Sequence, residues 1–317
     1  MLLVQPAGPT PPLGPPSGGP AGAVPRGARG PACATVWGIM TTPDAAPLRL
    51  NGRDLGRHAI MAVVNRTPDS FFDRGATYGF GAALDAVDRA VAEGADIIDI
   101  GGVKAGPGED VGVAEELRRV VDLVAAVRER HPGVVISVDT WRAEVGEAVA
   151  AAGADLLNDT WGGPDPALAE VAAAHGVGLV CAHAGGLDPR TRPHRIGYGD
   201  VVADVVAHVT AEAERALALG VARESILIDP AHDFGKSTRH SLEITRRLGE
   251  MTATGWPVLV AVSNKDFIGE TLGRPVDRRG VGTMAVLGVS ALLGARVFRV
   301  HDAAAARRAL DAVAAIA

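Results

Sequence analysis

Short runs of apolar residues recur along most of the chain, and each is followed by a polar turn and then by a longer segment with helical spacing. The first run, Ile60–Val64, is typical of a fully buried strand. It ends in the polar stretch Asn65–Ser70, where the Pro68-Asp69 pair favours a turn. A helical pattern follows from about Ala82 to Glu93. The chain repeats this unit of strand, loop and helix seven more times.

The later units have the same layout. The predicted strands are Ile97–Ile100, Val134–Val138, Asp155–Leu157, Gly178–Cys181, Ser225–Ile228, Val258–Ala261 and Arg296–Val300. The predicted helices are Val113–Arg130, Ala143–Ala151, Pro166–His175, Asp200–Gly220, His240–Met251, Val281–Leu293 and Ala303–Ile316. Eight units in about 255 residues have the length and order of a (β/α)8 TIM barrel, an α/β fold. A doubly wound open sheet is the alternative, although no strand is followed by a G-x-G-x-x-G turn.

Composition sets the boundaries of this domain and excludes several functions. Because 16 of the first 32 residues are Pro or Gly, residues 1–48 are predicted to be a disordered tail and residues 49–317 a single barrel domain. The net charge of -6 argues against a nucleic-acid or anionic-membrane partner. No apolar run approaches the roughly 20 residues of a membrane span. The two cysteines, Cys33 and Cys181, favour free thiols in a reduced, cytoplasmic protein without a signal peptide.

Residues able to do chemistry follow seven of the eight predicted strands. They are Asn65, Asp139, Asn158, His183, Asp229, Ser263 with Lys265, and Arg299 with His301. Each residue taken singly has an ordinary explanation, since Asp and Asn favour turns and helix N-caps and a lysine is often solvated. A barrel, however, brings the carboxyl ends of all its strands to one mouth. The set therefore predicts one polar binding site.

The side chains at this mouth suit two kinds of ligand group. Carboxylates accept hydrogen bonds, amides donate and accept them, and a lysine donates to a carbonyl, a combination that matches a flat heterocycle with alternating donors and acceptors. Arg299 and His301 suit an anion instead, with Asn65 as a metal or phosphate ligand. The Arg278-Arg279 pair before a helix could assist with a phosphate, but a solvated basic turn explains it as well.

From about Ala59 to Ala317 the chain resembles dihydropteroate synthase, the pterin-binding barrel family of folate biosynthesis. The motifs that carry the resemblance are Asn65-Arg66-Thr67-Pro68-Asp69-Ser70-Phe71, Asp99-Ile100-Gly101-Gly102, Ser137-Val138-Asp139-Thr140, Asn158-Asp159, Asp229-Pro230 with Phe234-Gly235-Lys236, Ser263-Asn264-Lys265, and Arg299-Val300-His301. Their order along the chain is that of the family.

The resemblance implies a transferase that joins p-aminobenzoate to 6-hydroxymethyl-7,8-dihydropterin diphosphate and releases diphosphate. It implies that the pterin edge is held by Asp139, Asn158, Asp229 and Lys265. It implies that the diphosphate is held by Arg299 and His301 together with Asn65 and Mg²⁺. Phe234 and Ser263 would lie near the aminobenzoate, and the implied catalytic groups are Lys265, Arg299 and His301. A homodimer is also implied.

Two departures from the family pattern predict weak catalysis. The second loop reads Val103–Pro107 where the family has Glu-Ser-Thr-Arg-Pro, and Ser263-Asn264-Lys265 replaces Ser-Arg-Lys. Each change removes an arginine, and a hydrogen bond to a charged group is worth roughly 1.5–3 kcal/mol. Both losses together would cost on the order of 10²–10⁴ in rate. An inactive pterin-binding paralogue is therefore one alternative. A pterin-dependent methyltransferase, which would not need Arg299 and His301 for diphosphate, is another.

Overall fold

The computed structural model describes residues 48–68, 75–191 and 196–316. The predicted tail up to residue 47, Cys33 and the loop residues Asp69, Ser70 and Phe71 lie outside these described residues. The described strands are β1 (Arg49–Leu50), β2 (Arg53–Asp54), β3 (Ala59–Asn65), β4 (Ile97–Gly101), β5 (Val135–Asp139), β6 (Leu156–Asp159), β7 (Gly178–Ala182), β8 (Ile226–Asp229), β9 (Leu259–Val260) and β10 (Val297–Val300).

Strands β3–β10 form the predicted barrel. They lie in the order β8-β7-β6-β5-β4-β3-β10-β9, and every neighbouring pair is parallel. The ring is closed between its two end strands by a single parallel bridge from Ile228 to Val258. Strand β9 is two residues long where four were predicted, because pairing along this seam is limited to that bridge and to β10. The carboxyl ends of eight strands therefore face one mouth, which is the arrangement that the sequence predicts.

Helices cover the outside of the barrel. They are α1 (Phe80–Ala92), α2 (Val113–Arg130), α3 (Ala143–Ala151), α4 (Ala167–His175), α5 (Val201–Leu219), α6 (Thr238–Arg246), α7 (Leu248–Thr252), α8 (Asp266–Leu272), α9 (Gly280–Leu292) and α10 (Ala303–Ile316). The predicted helix from His240 to Met251 is two helices that meet at Arg247, whose backbone angles (φ -104°, ψ 20°) interrupt the helical path. Helix α8 was not predicted, because its seven residues are too few for a periodic apolar pattern. None of the helices among the described residues is long and apolar enough to cross a membrane.

The barrel interior has an apolar level and a polar level. Side chains alternate between the two sides of a strand, so residues two apart point into the barrel one above the other. The lower level is a buried cluster that includes Met61, Ile97, Val135, Leu156, Val180, Leu227, Leu259 and Val297. Two residues further along their strands stand Asp99, Ser137, Asn158, Asp229 and Arg299. Eight strands thus supply the apolar floor, and five of them also supply the polar groups directly above it.

A hairpin of β1 and β2 packs against the amino-terminal end of the barrel. Leu48 and Leu50 join the apolar lower level, where they are almost fully buried. Asn51 makes the turn in a left-handed conformation (φ 47°) and ties it to two other parts of the barrel. Its Nδ2 donates to the Asp155 carbonyl at 2.9 Å, and its backbone N–H donates to Ser225 Oγ at 3.1 Å. The hairpin thereby covers the floor of the barrel.

We expect Asn51→Gly to lower the free energy of unfolding by about 1 kcal/mol, because it removes the side-chain hydrogen bonds to Asp155 and Ser225 but tolerates the backbone angle. Asn51→Ala should cost about 1 kcal/mol more, since alanine is strained in the left-handed region. Urea unfolding of wild type and of the two variants measures both differences in the free energy of unfolding. Equal stability of the variants would contradict a conformational role for this residue.

Candidate active site

A fully buried carboxylate, Asp99 on β4, lies at the centre of the polar level. Its Oδ1 accepts hydrogen bonds from Ser137 Oγ at 2.6 Å and from Asn158 Nδ2 at 3.2 Å. Its Oδ2 accepts one from Arg299 Nε at 2.6 Å. Arg299 Nη2 also donates to Asp139 Oδ2 at 2.9 Å. We call Asp99, Ser137, Asp139, Asn158 and Arg299 the Asp99 network.

The Asp99 network contains three predicted substrate-binding residues, Asp139, Asn158 and Arg299, and two residues, Asp99 and Ser137, that were not predicted to belong to the site. Arg299 is shared between two carboxylates, so its charge is balanced within the protein. Its Nη1 donates to none of the described residues, which leaves one face of the guanidinium for a ligand. The signal for Asp99 was present in the sequence: a charged residue stands inside the apolar strand Ile97–Ile100.

Asp139 is held at the end of β5 by two different donors. Thr160 Oγ1 donates to its Oδ1 at 3.0 Å, and Arg299 donates to its Oδ2. Burial raises the pKa of Asp139 from 3.8 to about 7; Arg299 opposes this shift, and the charge of Asp99 adds to it. The carboxyl group therefore changes its charge near neutral pH, in the middle of the site.

This pKa makes stability depend on pH. Between about pH 4 and 7 the folded chain holds a proton on Asp139 that the unfolded chain has lost, so the free energy of unfolding should fall as the pH rises. Asp139→Asn removes that contribution. We expect the stability difference, wild type minus Asp139→Asn, to decrease across this range in urea unfolding. A difference that stays constant with pH would contradict the raised pKa.

A second group of predicted residues lies on the β8 and β9 side of the mouth. Asp229 ends β8, and its Oδ1 accepts a hydrogen bond from the Ala231 N–H at 2.7 Å. Burial raises its pKa, and the ammonium of Lys265 opposes that shift. Lys265 donates to the His232 carbonyl and lies 4.6 Å from the centre of the Phe234 ring. Burial lowers the pKa of Lys265, Asp233 and Asp229 oppose that shift, and Arg299 acts in the same direction as burial.

The segment Pro230–Lys236, which we call the lysine loop, sets the position of Phe234. Lys236 is almost fully buried, and its Nζ donates to the carbonyls of His183 at 2.6 Å, Phe234 at 2.7 Å and Ala231 at 3.2 Å. Ala231 and Asp233 adopt left-handed angles (φ 48° and 68°), which non-glycine residues seldom do. One buried ammonium therefore holds a strained loop in shape and joins it to the end of β7.

Phe234 also meets a second aromatic ring. Trp161, which follows β6, packs edge-on against it with ring centres 5.1 Å apart. Trp161 is itself buried. Phe234 thus contacts both a cation and an indole, beside Lys265 at the mouth.

Ser263, His301 and Asn65 form the remaining side of the mouth. His301 Nδ1 lies 2.9 Å from Ser263 Oγ, which also accepts the backbone N–H of His301 at 3.3 Å. A groove of about 420 Å³ between β3, α1 and α10 is lined by Asn65, Thr77 and His301 among others. Asn65 and His301 therefore line one groove, and their roles toward diphosphate and metal remain predictions.

Two other candidates are engaged elsewhere. His183 Nε2 lies 2.9 Å from the Asp204 carboxylate of α5, and burial lowers its pKa to about 4. Arg279 donates to the Asn264 carbonyl and to Asp266 Oδ1, each at 2.8 Å. His183 is therefore a neutral residue of the barrel wall, and Arg279 anchors the turn after β9 rather than presenting a free phosphate site.

The two departures from the family pattern lie at this mouth. Asn264 adopts a left-handed angle (φ 57°), and its Nδ2 is 3.5 Å from Ser263 Oγ. Val103, in the second loop, is buried. Lys104 is the only basic residue in Val103–Pro107. The mouth consequently has two fewer guanidinium groups than the family pattern supplies.

Comparison with known proteins gives one consistent result. The family model described as "Pterin binding enzyme" matches residues 61–301. A protein of Mycobacterium bovis named "Inactive dihydropteroate synthase 2" is 60% identical over 264 residues, which cover 82% of this chain and 83% of that protein. The dihydropteroate synthase of Haemophilus influenzae is 39% identical over 253 residues, covering 80% and 91% of the two chains. A crystal structure of Xanthomonas albilineans dihydropteroate synthase with 4-aminobenzoic acid superposes with a TM-score of 0.78 at 37% identity, covering 86% and 98%.

Proposed function

The chain belongs to the pterin binding enzyme family, and from this premise we propose that it is a dihydropteroate synthase with slow turnover. It binds 6-hydroxymethyl-7,8-dihydropterin diphosphate at the mouth of the barrel and transfers the pterin methylene to p-aminobenzoate. The polar residues at the mouth, taken together rather than as single motifs, support this reaction. The similarity to H. influenzae dihydropteroate synthase supports it independently.

The observation that carries the proposal is the close grouping of Asp139, Asn158, Asp229 and Lys265. Asn158 and Asp229 are buried and Asp139 and Lys265 are half-buried at this mouth, where carboxylates and an amide offer acceptors and one ammonium offers donors. Buried polar groups need partners, and a 2-amino-4-oxopteridine edge supplies both amino and ring N–H donors and a carbonyl acceptor. The carboxylates and Asn158 would receive the N–H groups, and Lys265 would donate to the carbonyl.

The reaction needs little covalent chemistry from the protein. The bond between the methylene carbon and the diphosphate oxygen breaks, and the oxygen keeps the electron pair. The amine of p-aminobenzoate then forms the new C–N bond and loses a proton to solvent. Positive groups beside the leaving diphosphate stabilise its developing charge. Arg299 Nη1 and His301 would do so, while Phe234 and Ser263 would position the second substrate.

A magnesium ion fits this mouth only together with the diphosphate. The described residues contain no group of three or more His, Cys, Asp or Glu that could hold a metal by itself. Asn65 offers one amide oxygen in the groove that His301 also lines, and Mg²⁺ commonly completes its shell with substrate phosphates and water. When bound, the ion would neutralise charge on the diphosphate. Asn65 would hold it, and Arg299 and His301 would contact the same anion.

The second candidate function is pterin binding without turnover. It is favoured by the name of the 60% identical relative and by Asn264 standing in place of an arginine. On this view Asp139, Asn158, Asp229 and Lys265 still hold the ring, but the leaving group receives too little stabilisation. Both candidate functions require the pterin diphosphate to bind, and they differ in whether the protein transfers its pterin methylene to p-aminobenzoate.

One paired experiment separates them. Calorimetry with the pterin diphosphate measures binding, and a coupled diphosphate-release assay at high protein concentration measures turnover. We expect the protein to bind the pterin diphosphate and to release diphosphate only when p-aminobenzoate is present. Binding without release would establish the second candidate. Absence of binding in the presence of Mg²⁺ would refute both.

A further inference from the structure

Asp99 restricts the orientation of the Asn158 amide. The Asp99 carboxylate is fully buried and is paired with Arg299 Nε at 2.6 Å, while Ser137 donates to it from the other side. An ionised carboxylate can only accept hydrogen bonds. The group of Asn158 that faces Asp99 must therefore be the NH₂ group, which lies 3.2 Å from Oδ1 and 3.4 Å from Oδ2.

The other end of the amide follows from this. Because Nδ2 is directed at Asp99, Asn158 Oδ1 is turned away from it, and this oxygen receives no hydrogen bond from the described residues. A flipped amide would place its oxygen against a buried carboxylate and would lose a hydrogen bond to a charged group, which would disfavour it by roughly tenfold to hundredfold. Asn158 is thus fixed as an acceptor toward the mouth.

We propose that Asp99 is a specificity-determining positioning residue: by fixing the Asn158 amide, it makes the site select an N–H donor over a carbonyl on the pteridine edge. The inference rests on the proposed function, because it concerns the ligand edge that Asn158 meets. A 2-amino-4-oxopteridine presents a donor at position 2. The corresponding 2,4-dioxopteridine presents an acceptor there, and Asn158 cannot turn to meet it.

The test compares the affinities of the 6-hydroxymethyl forms of these two pteridines by calorimetry. We expect wild type to prefer the 2-amino compound by at least about a hundredfold, with Asn158, Asp139 and Asp229 all acting as acceptors. Asp99→Asn frees the Asn158 amide to turn, and the preference should fall by about tenfold. Ser137→Ala is the matched control, because it removes a different donor to Asp99 and should leave the preference unchanged.

A reciprocal exchange distinguishes amide orientation from general damage. In the double variant Asp99→Asn/Asn158→Asp, the amide and the carboxylate change places, and an oxygen again faces the mouth. The preference for the 2-amino compound should return to within about threefold of wild type, although Asp99→Asn alone reduces it by about tenfold. An unchanged preference in Asp99→Asn, or a double variant no better than that single variant, would overturn the proposal.

A measurement without ligand separates this inference from the proposed function. In ¹⁵N–¹H correlation spectra, the Asn158 NH₂ signals, assigned by their loss in Asn158→Asp, should be protected from solvent exchange. Asp99→Asn should increase their exchange by about tenfold or more. If wild type bound neither pteridine, the proposed function would fail while this result still decided the orientation of Asn158. Rapid exchange in wild type would refute the fixed amide, even if Asp99→Asn failed to fold.

Discussion

Arg299→Met is expected to lower the free energy of unfolding by about 3–5 kcal/mol. The guanidinium is the cation that separates Asp99 and Asp139, with contacts of 2.6 and 2.9 Å. Without it two buried carboxylates would face each other, and one would have to take up a proton. Urea unfolding near neutral pH measures the loss.

A surface arginine provides the control for this prediction. Arg247 also bridges several acidic residues, among them Asp200 and Glu250, but it does so at the solvent-exposed surface. Arg247→Met should cost far less than Arg299→Met, because ion pairs at the solvent-exposed surface contribute little. Adding Asp99→Asn to Arg299→Met should recover part of the loss, because only one buried carboxylate then remains. A cost at position 299 as small as that at 247 would show that the Asp99 network is neutralised in another way.

The second large effect is a gain of activity. The triple variant Ala105→Thr/Gly106→Arg/Asn264→Arg restores the residue types that the family has in both departures, and we expect kcat/KM for diphosphate release to rise by about 10²–10⁴. Gly106 accepts a side chain without strain, since an added Cβ would meet only Lys104 Cε at 3.8 Å. Arginine at position 264 would meet a left-handed backbone, which is a modest cost.

Glutamine at positions 106 and 264 is the matched control, because it keeps length and polarity but removes the charge. It should give little of the gain. The coupled diphosphate-release assay, with calorimetry on the same samples, provides the measurement. If pterin binding persisted and the arginine variant still showed no turnover, the cause of weak catalysis would lie outside these two positions.

The fold followed closely from the sequence because its strands are short apolar runs that end in polar residues. Helices α2, α3 and α10 were predicted with the bounds that the structure shows. The differences arise where local pattern is weak. Strand β9 depends on a seam formed by a single bridge, and the seven residues of α8 follow Lys265 without an apolar repeat.

For the site, the residues at strand ends were easier to predict than those inside strands. Asp139, Asn158, Asp229 and Lys265 attract notice because they interrupt an apolar run at its end. Asp99 lies within a strand, and its importance depends on three partners from other strands, which spacing along the chain does not reveal. The roles of individual residues toward substrate and metal remain predictions that the variants above test.

The two-level barrel interior also bears on how such a protein can change over time. The apolar floor and the helix-facing residues form the hydrophobic core. The loop positions at which the family has arginines are not part of that core. A duplicated gene could therefore lose chemical proficiency through loop substitutions while its product continued to fold and to hold a ring. Selection on ligand capture and selection on turnover would then act on separate layers of one molecule.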